Sequence, residues 1–236
     1  MAIQFFDTIP KDQFHFGIFD FDNGIVDTES VFAQFDRDLL NEVIRLAKKD
    51  PLLTAADVRP LAGNSGSEKL KIIAKRYGFD PMPYLDGFNE KRNRLRTNLF
   101  QYKPAPLAQG LQALLDHLES RRALATNKKA FKLEPDMKAM GIENMFDVIV
   151  TSDGLNKKPA PDVIIEAMKQ LNAAPEETVY FGDNVSDIEA AIKAGVYAFG
   201  FIIEGLDNEG ARIQAMRDAG AHAVLDDYQD VIRYIK

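Results

Sequence analysis

Two aspartates, Asp20 and Asp22, stand two positions apart in FDFDNGIVDTE, residues 19–29, at the end of an apolar run containing Phe14, Phe16, Ile18 and Phe19. In an extended chain residues i and i+2 share a side, so the two carboxylates repel each other unless a cation lies between them. A satisfied turn is the competing explanation, because Asp and Asn bond nearby backbone N–H groups and Asn23-Gly24 follows directly. Comparable groups follow three later apolar runs: Thr126-Asn127 after RALA, Lys157-Lys158-Pro159 beyond DVIV, and Gly182-Asp183-Asn184 with Asp187 after TVYF. Each has a bland reading by itself. Thr-Asn makes a turn, Lys-Pro a solvated loop, and in GDNVSD a capping box of Ser186 with Glu189 leaves Asp187 suited to the positive helix end. Four such groups at successive run ends are hard to obtain from turns alone.

Acidic oxygens suit a hard cation, and Mg²⁺ favours a few carboxylates, waters and phosphate oxygens. A hydroxyl and a lysine complement a phosphoryl group, and backbone N–H groups at strand-to-helix turns hold anions. Phosphoryl transfer to Asp20 is the matching reaction, because a carboxylate can form an aspartyl-phosphate and divide one hard displacement into two easier ones. Asp22, on the same side, is placed to protonate the leaving oxygen and later to activate water.

These groups need a frame that brings distant run ends together. Short apolar runs recur at 14–19, 122–125, 147–150, 178–181, 197–202 and 222–225, and helical patterns lie between them. Leu107, Leu111, Leu114, Leu115 and Leu118 fit one helix, and Ile164, Ile165, Met168 and Leu171 fit another after Pro161. The alternation predicts an α/β fold, a three-layer Rossmann-like parallel sheet core, in which ligands bind outside the carboxyl ends of the strands. Residues 28–104 break the alternation. Val31, Phe32, Phe35, Leu39, Val43 and Leu46 form one helical stripe. Leu70, Ile73, Ala74 and Tyr77 form another, opened by Ser65-x-x-Glu68 and stopped at Gly78. An inserted all-helical domain at 28–104 is expected, with 1–27 and 105–236 forming the core and KPAP at 103–106 the return.

The 236 residues, 46% hydrophobic, suffice for such a core with an insert. The absence of cysteine excludes disulfides, thiolate zinc sites and cysteine nucleophiles. His15, His117 and His222 are scattered, belong to no HExxH pattern, and are expected to be structural. A net charge of −7 without a basic block argues against nucleic acid as a partner. No apolar run approaches a membrane span and the first residues carry no positive leader, so a cytoplasmic protein is expected.

The four motifs in order, DFDNG, the run ending in Thr126, Lys158-Pro159 within KKPAPD, and GDNVSD, resemble the haloacid dehalogenase-like superfamily of phosphohydrolases. The similarity covers nearly the whole chain from about residue 14 and points to the branch with a helical cap after the first motif. It implies that Asp20 is the nucleophile and a metal ligand. It implies that Asp22 is the general acid/base and lends its backbone carbonyl to Mg²⁺. Thr126, Asn127 and Lys158 then hold the phosphoryl group, while Asp183 and Asp187 complete the metal site. Lys157 matches no motif position. The second aspartate sets the chain apart from the dehalogenase branch and leaves a phosphatase or a phosphomutase, of which a phosphatase acting on a small phosphorylated metabolite is the leading expectation. A phosphomutase of the same fold and a catalytically silent binding module are the alternatives. Gly24 departs from the family's usual Thr or Val, and glycine there is expected to loosen the turn after the nucleophile. The cap is expected to govern substrate choice, with Gly63-Asn64-Ser65-Gly66 and KRNRLR at 91–96 as candidate contacts. Arg92, Arg94 and Arg96 fit a solvated helix face as well as a cleft lining.

Overall fold

The computed structural model describes residues 4–61, 64–96, 99–102, 104–118, 121–203 and 209–236. Gly63 and Lys103 lie outside the described residues, as does the Arg96 side chain. The chain divides into two compact units, Thr28–Ala105, and Met1–Asp27 joined with Pro106–Lys236.

The first unit is built from helices α1 (Thr28–Leu46), α2 (Ala55–Val58), α3 (Gly66–Tyr77), α4 (Met82–Arg96) and α5 (Leu99–Tyr102), without a strand among its described residues. Leu39, Leu40, Val43 and Ile44 of α1 pack with Leu53, Val58, Leu70, Ile73 and Phe88 into its core. Leu46, expected to end the α1 stripe, is exposed in the last turn. Helix α3 begins where its sequence says it should. Glu68 N–H donates to Ser65 Oγ at 3.3 Å, Ser65 N–H donates to Glu68 Oε2 at 2.7 Å, and Gly78 ends the helix at φ 67°.

Asp36 interrupts the apolar face of α1 and is fully buried. Lys69 reaches its Oδ2 at 2.6 Å, while Arg92 donates from Nε to Oδ1 at 2.6 Å and from Nη2 to Oδ2 at 3.1 Å. The reading of Arg92 as a solvated residue therefore fails, whereas Arg94 is exposed. Burial works to raise the Asp36 carboxyl, but hydrogen bonds from Arg92 and Lys69 outweigh it and hold the group below the ordinary range.

The second unit carries strands β1 (Gln4–Phe5), β2 (Phe16–Phe19), β3 (Arg122–Ala125), β4 (Val148–Val150), β5 (Thr178–Gly182), β6 (Tyr197–Phe201) and β7 (Ala223–Leu225). They form one sheet in the order β1-β7-β6-β5-β2-β3-β4, parallel except for β1, which pairs antiparallel with β7. Strand β1 was not foreseen, because two residues carry no periodicity. Its helices are α6 (Leu111–Leu118), α7 (Ala130–Met140), α8 (Asp162–Leu171), α9 (Val185–Ala194) and α10 (Glu209–Asp218). Ile18, Ala125, Tyr180 and Ala198 on one face of the sheet pack with Val163, Ile164 and Met168 of α8, Ile188 of α9 and Met216 of α10. On the other face Phe19 and Phe181 stack at 4.9 Å and meet Tyr228, which stacks on Phe201 at 4.3 Å. Helix α6 lies on this second face, its Leu118 packed over Gly17. Two expected helical stripes are trimmed. Leu107 precedes α6 and bridges to Val26, and Ile165 of α8 is exposed.

The topology fixes where a ligand would meet this unit. From β2 the chain runs outward through β3 and β4, and on the opposite side through β5, β6 and β7. The crevice at such a reversal, beyond the carboxyl ends of β2 and β5, is the natural ligand position of an open parallel sheet. Phe19 pairs with Phe181, so Asp20 and Asp183 emerge there side by side. Two glycines let the loops close on these residues. A Cβ at Gly182 would stand 2.4 Å from the Asp187 Cβ, so only glycine lets that aspartate fold back over the strand end. A Cβ at Gly24 would stand 2.4 Å from the Asp20 carbonyl oxygen. Gly24 thus tightens the turn it was expected to loosen. Ile25 and Val26 N–H groups close on Phe21 O at 3.2 and 3.3 Å, and the Tyr228 hydroxyl donates to Gly24 O at 2.9 Å.

Replacing Asp36 by Asn leaves Lys69 and Arg92 without a buried counter-charge and should destabilise the protein by about 3–5 kcal/mol in urea unfolding at neutral pH. Because the folded-state pKa is depressed, the Asp36 contribution is present above the ordinary carboxylate value and is lost as the pH falls below it. The gap between parent and variant should therefore shrink below about pH 4. Gly24→Ala forces a methyl group against the Asp20 backbone and should cost roughly 1–3 kcal/mol. An unchanged urea midpoint in either variant would contradict these assignments.

Candidate active site

Asp20 is the first residue beyond β2, and its N–H donates to Phe181 O at 2.8 Å, which extends the β2–β5 ladder to the point of use. Thr126 follows β3, and its N–H is likewise bonded to β4 through Val150 O at 3.0 Å. Lys158 stands within the loop between β4 and α8, and Asp187 lies in the first turn of α9. Helix α9 starts with a box different from the one the sequence suggested. Asn184, not Ser186, is the cap residue, and Asp187 Oδ2 accepts from Asn184 N–H at 3.0 Å. One Asp187 oxygen thus anchors the helix start, and Oδ1 remains for the interior.

That interior is organised around the Lys158 ammonium, which lies 2.5 Å from Asp20 Oδ1 and 2.6 Å from Asp187 Oδ1 with only 3% of its side chain exposed. Nζ also donates to Tyr180 Oη at 2.8 Å. Burial by itself would lower this lysine, but the charges of Asp20 and Asp187 outweigh it and hold the ammonium above the ordinary lysine range. The neighbouring Lys157 is exposed. Burial pushes the Asp20 carboxyl up to about 6 against the opposing pull of Lys158, with the Asp187 and Asp22 charges adding to the rise. Asp183 is raised well above its ordinary value by burial, then by Asp187 and Asp20.

Asp20, Asp183 and Asp187 offer carboxylate oxygens that lie within 4.8 Å of one another, and all three residues are buried. Three acids and one internal lysine leave an excess of buried negative charge. Such a donor set, all oxygen, fits a hard divalent cation. The Asp22 carboxylate is not in this group. It points to Lys128 Nζ at 3.3 Å, and Lys128 is in turn held by Asp136 at 2.7 Å and lies over the Phe21 ring. Thr126 Oγ accepts from Lys128 N–H at 3.2 Å. The Asn127 side chain grips the Lys158 backbone at both ends, with Oδ1 accepting from Lys158 N–H at 2.7 Å and Nδ2 donating to Lys158 O at 3.2 Å. Its amide therefore steadies the lysine.

Four residues at the site were not singled out from sequence. Asn23 adopts a left-handed conformation, φ 58°, and donates from Nδ2 to Asp183 Oδ2 at 3.3 Å. Arg212 of α10 approaches the same oxygen at 3.4 Å and the Asp183 carbonyl at 3.2 Å. Lys128 and Tyr180 are described above. Asn23 carried a signal, since Asn-Gly marks a turn that needs positive φ. Lys128, Tyr180 and Arg212 carried none, because nothing in one lysine of a Lys-Lys pair, a strand tyrosine or a helix arginine announces a partner far along the chain.

The profile of the haloacid dehalogenase-like hydrolases matches residues 17–201. The phosphorylated carbohydrates phosphatase of Thermotoga maritima is 28% identical over 217 residues, which cover 88% of this chain and 92% of that protein. The N-acetylmuramic acid 6-phosphate phosphatase of Pseudomonas putida is 28% identical over 186 residues, covering 75% and 78% respectively. A solved HAD family hydrolase from Deinococcus radiodurans shares the fold with a TM-score of 0.71 and 22% identity, across 93% of this chain and 94% of that one. No helix among the described residues is long and apolar enough to cross a membrane. With a matching profile that spans most of its length, the chain belongs to the haloacid dehalogenase-like hydrolases, in their phosphatase branch.

Proposed function

We propose that this protein is a Mg²⁺-dependent phosphatase that hydrolyses a small phosphomonoester through an aspartyl-phosphate on Asp20. The observation that carries the reading is the buried Asp20–Lys158–Asp187 cluster, with Asp183 beside it. A lysine shared between two acids orients Asp20 and opposes the upward push that burial gives its carboxyl. The named substrates of the relatives, phosphorylated carbohydrates and N-acetylmuramic acid 6-phosphate, support a phosphorylated carbohydrate as the substrate class.

Asp20, Asp183 and Asp187, with the Asp22 carbonyl, would hold Mg²⁺, which when bound supplies charge neutralisation for the phosphoryl oxygens. Thr126 Oγ and backbone N–H groups of the loop after β3 bind and orient the phosphoryl group, and the Lys158 ammonium, its donors engaged by Asp20, Asp187 and Tyr180, adds its positive charge beside it. An Asp20 oxygen forms a bond to phosphorus as the bond from phosphorus to the leaving alkoxide breaks, and Asp22, having taken up a proton from solvent, gives that proton to the alkoxide. Asp22, now a carboxylate, takes a proton from water as the water oxygen attacks phosphorus. The Asp20–phosphorus bond then breaks and inorganic phosphate leaves. Asp22 suits this exchange because its side chain is part-exposed, whereas Asp20 is enclosed. Lys128 beside it fixes the direction in which the carboxyl points before substrate arrives.

With Mg²⁺ and an aryl phosphate, the parent protein should release inorganic phosphate, and Asp20→Asn should reduce this to background. Equal turnover by the two proteins would remove Asp20 as nucleophile. Lys158→Ala should lower kcat roughly 10²- to 10³-fold, and Lys157→Ala should leave it near the parent value. EDTA should stop turnover and Mg²⁺ restore it, so activity indifferent to chelation would reject the metal site. With a hexose 1-phosphate the product should be free sugar and phosphate, and formation of the 6-phosphate would identify a mutase instead.

A further inference from the structure

Tyr180 lies in the middle of β5, fully buried, in register with Ile18 of β2 and on the face covered by α8 and α9. A tyrosine in such an apolar cluster needs a partner for its hydroxyl, since an unmet buried O–H is costly. Its Oη has three neighbours, and two of them belong to the site. It accepts from Lys158 Nζ at 2.8 Å, and lies 3.2 Å from Ala125 O and 3.1 Å from Asp187 Oδ1, either of which can take its proton. Lys158 itself arrives on a loop, with a long flexible side chain and three donors to place. Two of those donors reach Asp20 and Asp187, and the third reaches the tyrosine oxygen. Ala125 O, at 3.4 Å, is a poor alternative for the ammonium. The hydroxyl is thus a rigid strand-borne support under a charged group whose own backbone is outside any strand.

We propose that Tyr180 is a positioning residue of the active site, whose hydroxyl fixes the Lys158 ammonium and the Asp187 carboxylate relative to Asp20. This rests on the phosphatase reading above for its catalytic consequence, and on geometry alone for the contact itself. The three neighbours of its hydroxyl, Lys158 Nζ, Ala125 O and Asp187 Oδ1, do not include the nucleophile Asp20, so the role assigned to it acts through other groups. Without its oxygen, the ammonium loses one of three good acceptors and rotates among the remaining positions, and whichever of Ala125 O and Asp187 Oδ1 takes the hydroxyl proton loses a donor. The phosphoryl group would still bind, because Thr126 and the backbone N–H groups are unaffected, but the lysine would meet the transferring group less often in the productive geometry.

Tyr180→Phe removes one oxygen and preserves the ring. It should lower kcat about 10- to 100-fold while KM moves by less than about threefold, with an unfolding midpoint that shows an intact core. A kcat within about twofold of the parent, or a loss confined to KM, overturns the inference. A second measurement needs no variant and no turnover. In the ¹⁵N-labelled parent protein with Mg²⁺ and inorganic phosphate, the Lys158 ammonium protons should give a resolved signal with a nuclear Overhauser contact to the Tyr180 ring. Absence of that contact overturns the inference even if Tyr180→Phe fails to fold. Should the parent and Asp20→Asn prove equally active, the phosphatase reading fails, while the ammonium signal still decides whether Tyr180 holds the lysine.

Discussion

The Lys158 ammonium is held between two carboxylates that come from different strand ends, 2.5 Å from Asp20 and 2.6 Å from Asp187. A charge this deeply buried persists only where its partners are close and well oriented. Much of the surrounding architecture serves that condition. Asn127 pins the Lys158 backbone, Gly182 lets Asp187 fold over the end of β5, and the Asn184 cap holds the other Asp187 oxygen. The β2–β5 ladder, extended by Asp20 N–H to Phe181 O, fixes the third member. Most of these constraints act on backbone, and the Asn184 bond takes only the Asp187 oxygen that faces away from Lys158.

The same cluster gives the physical reason a cation would suit the site. Three carboxylates and one lysine leave a negative surplus, and burial with mutual repulsion raises Asp20 and Asp183. Asn23, Asn184 and Arg212 hold Asp183 through hydrogen bonds to its two oxygens and its carbonyl. They orient the carboxylate, and the Arg212 guanidinium offsets only part of the surplus, which a divalent ion of modest size would offset in full.

The helical unit repeats the pattern with the opposite sign. Asp36, alone among the apolar residues of α1, gathers Lys69 from α3 and Arg92 from α4. One acid joined to two cations ties three helices at one point and gives their packing a register that leucine and phenylalanine alone specify less strictly. Gly66 lies against the Arg92 side chain, where a Cβ would stand 2.8 Å from Cδ, so the entry to α3 is shaped around this ion group.

By itself the sequence determined the element types and the places where chemistry could gather. Alternating apolar runs and helical stripes gave the α/β sheet, Ser65 with Glu68 gave the start of α3, and polar groups after four runs marked one edge of the sheet. These features were legible because they are local, set by periodicity, capping and turn chemistry within a few residues. Only the tertiary structure decided which partners meet. The β2–β5 adjacency at the reversal of strand order makes Asp20 and Asp183 neighbours, and it brings the Tyr180 hydroxyl beneath a lysine 22 residues earlier in the chain. It also turned Gly24 from a loosened turn into a close approach, buried Arg92 against Asp36, and directed Asp22 to Lys128. Such contacts depend on strand register, helix rotation and side-chain length across long loops, and no spacing within one segment encodes them.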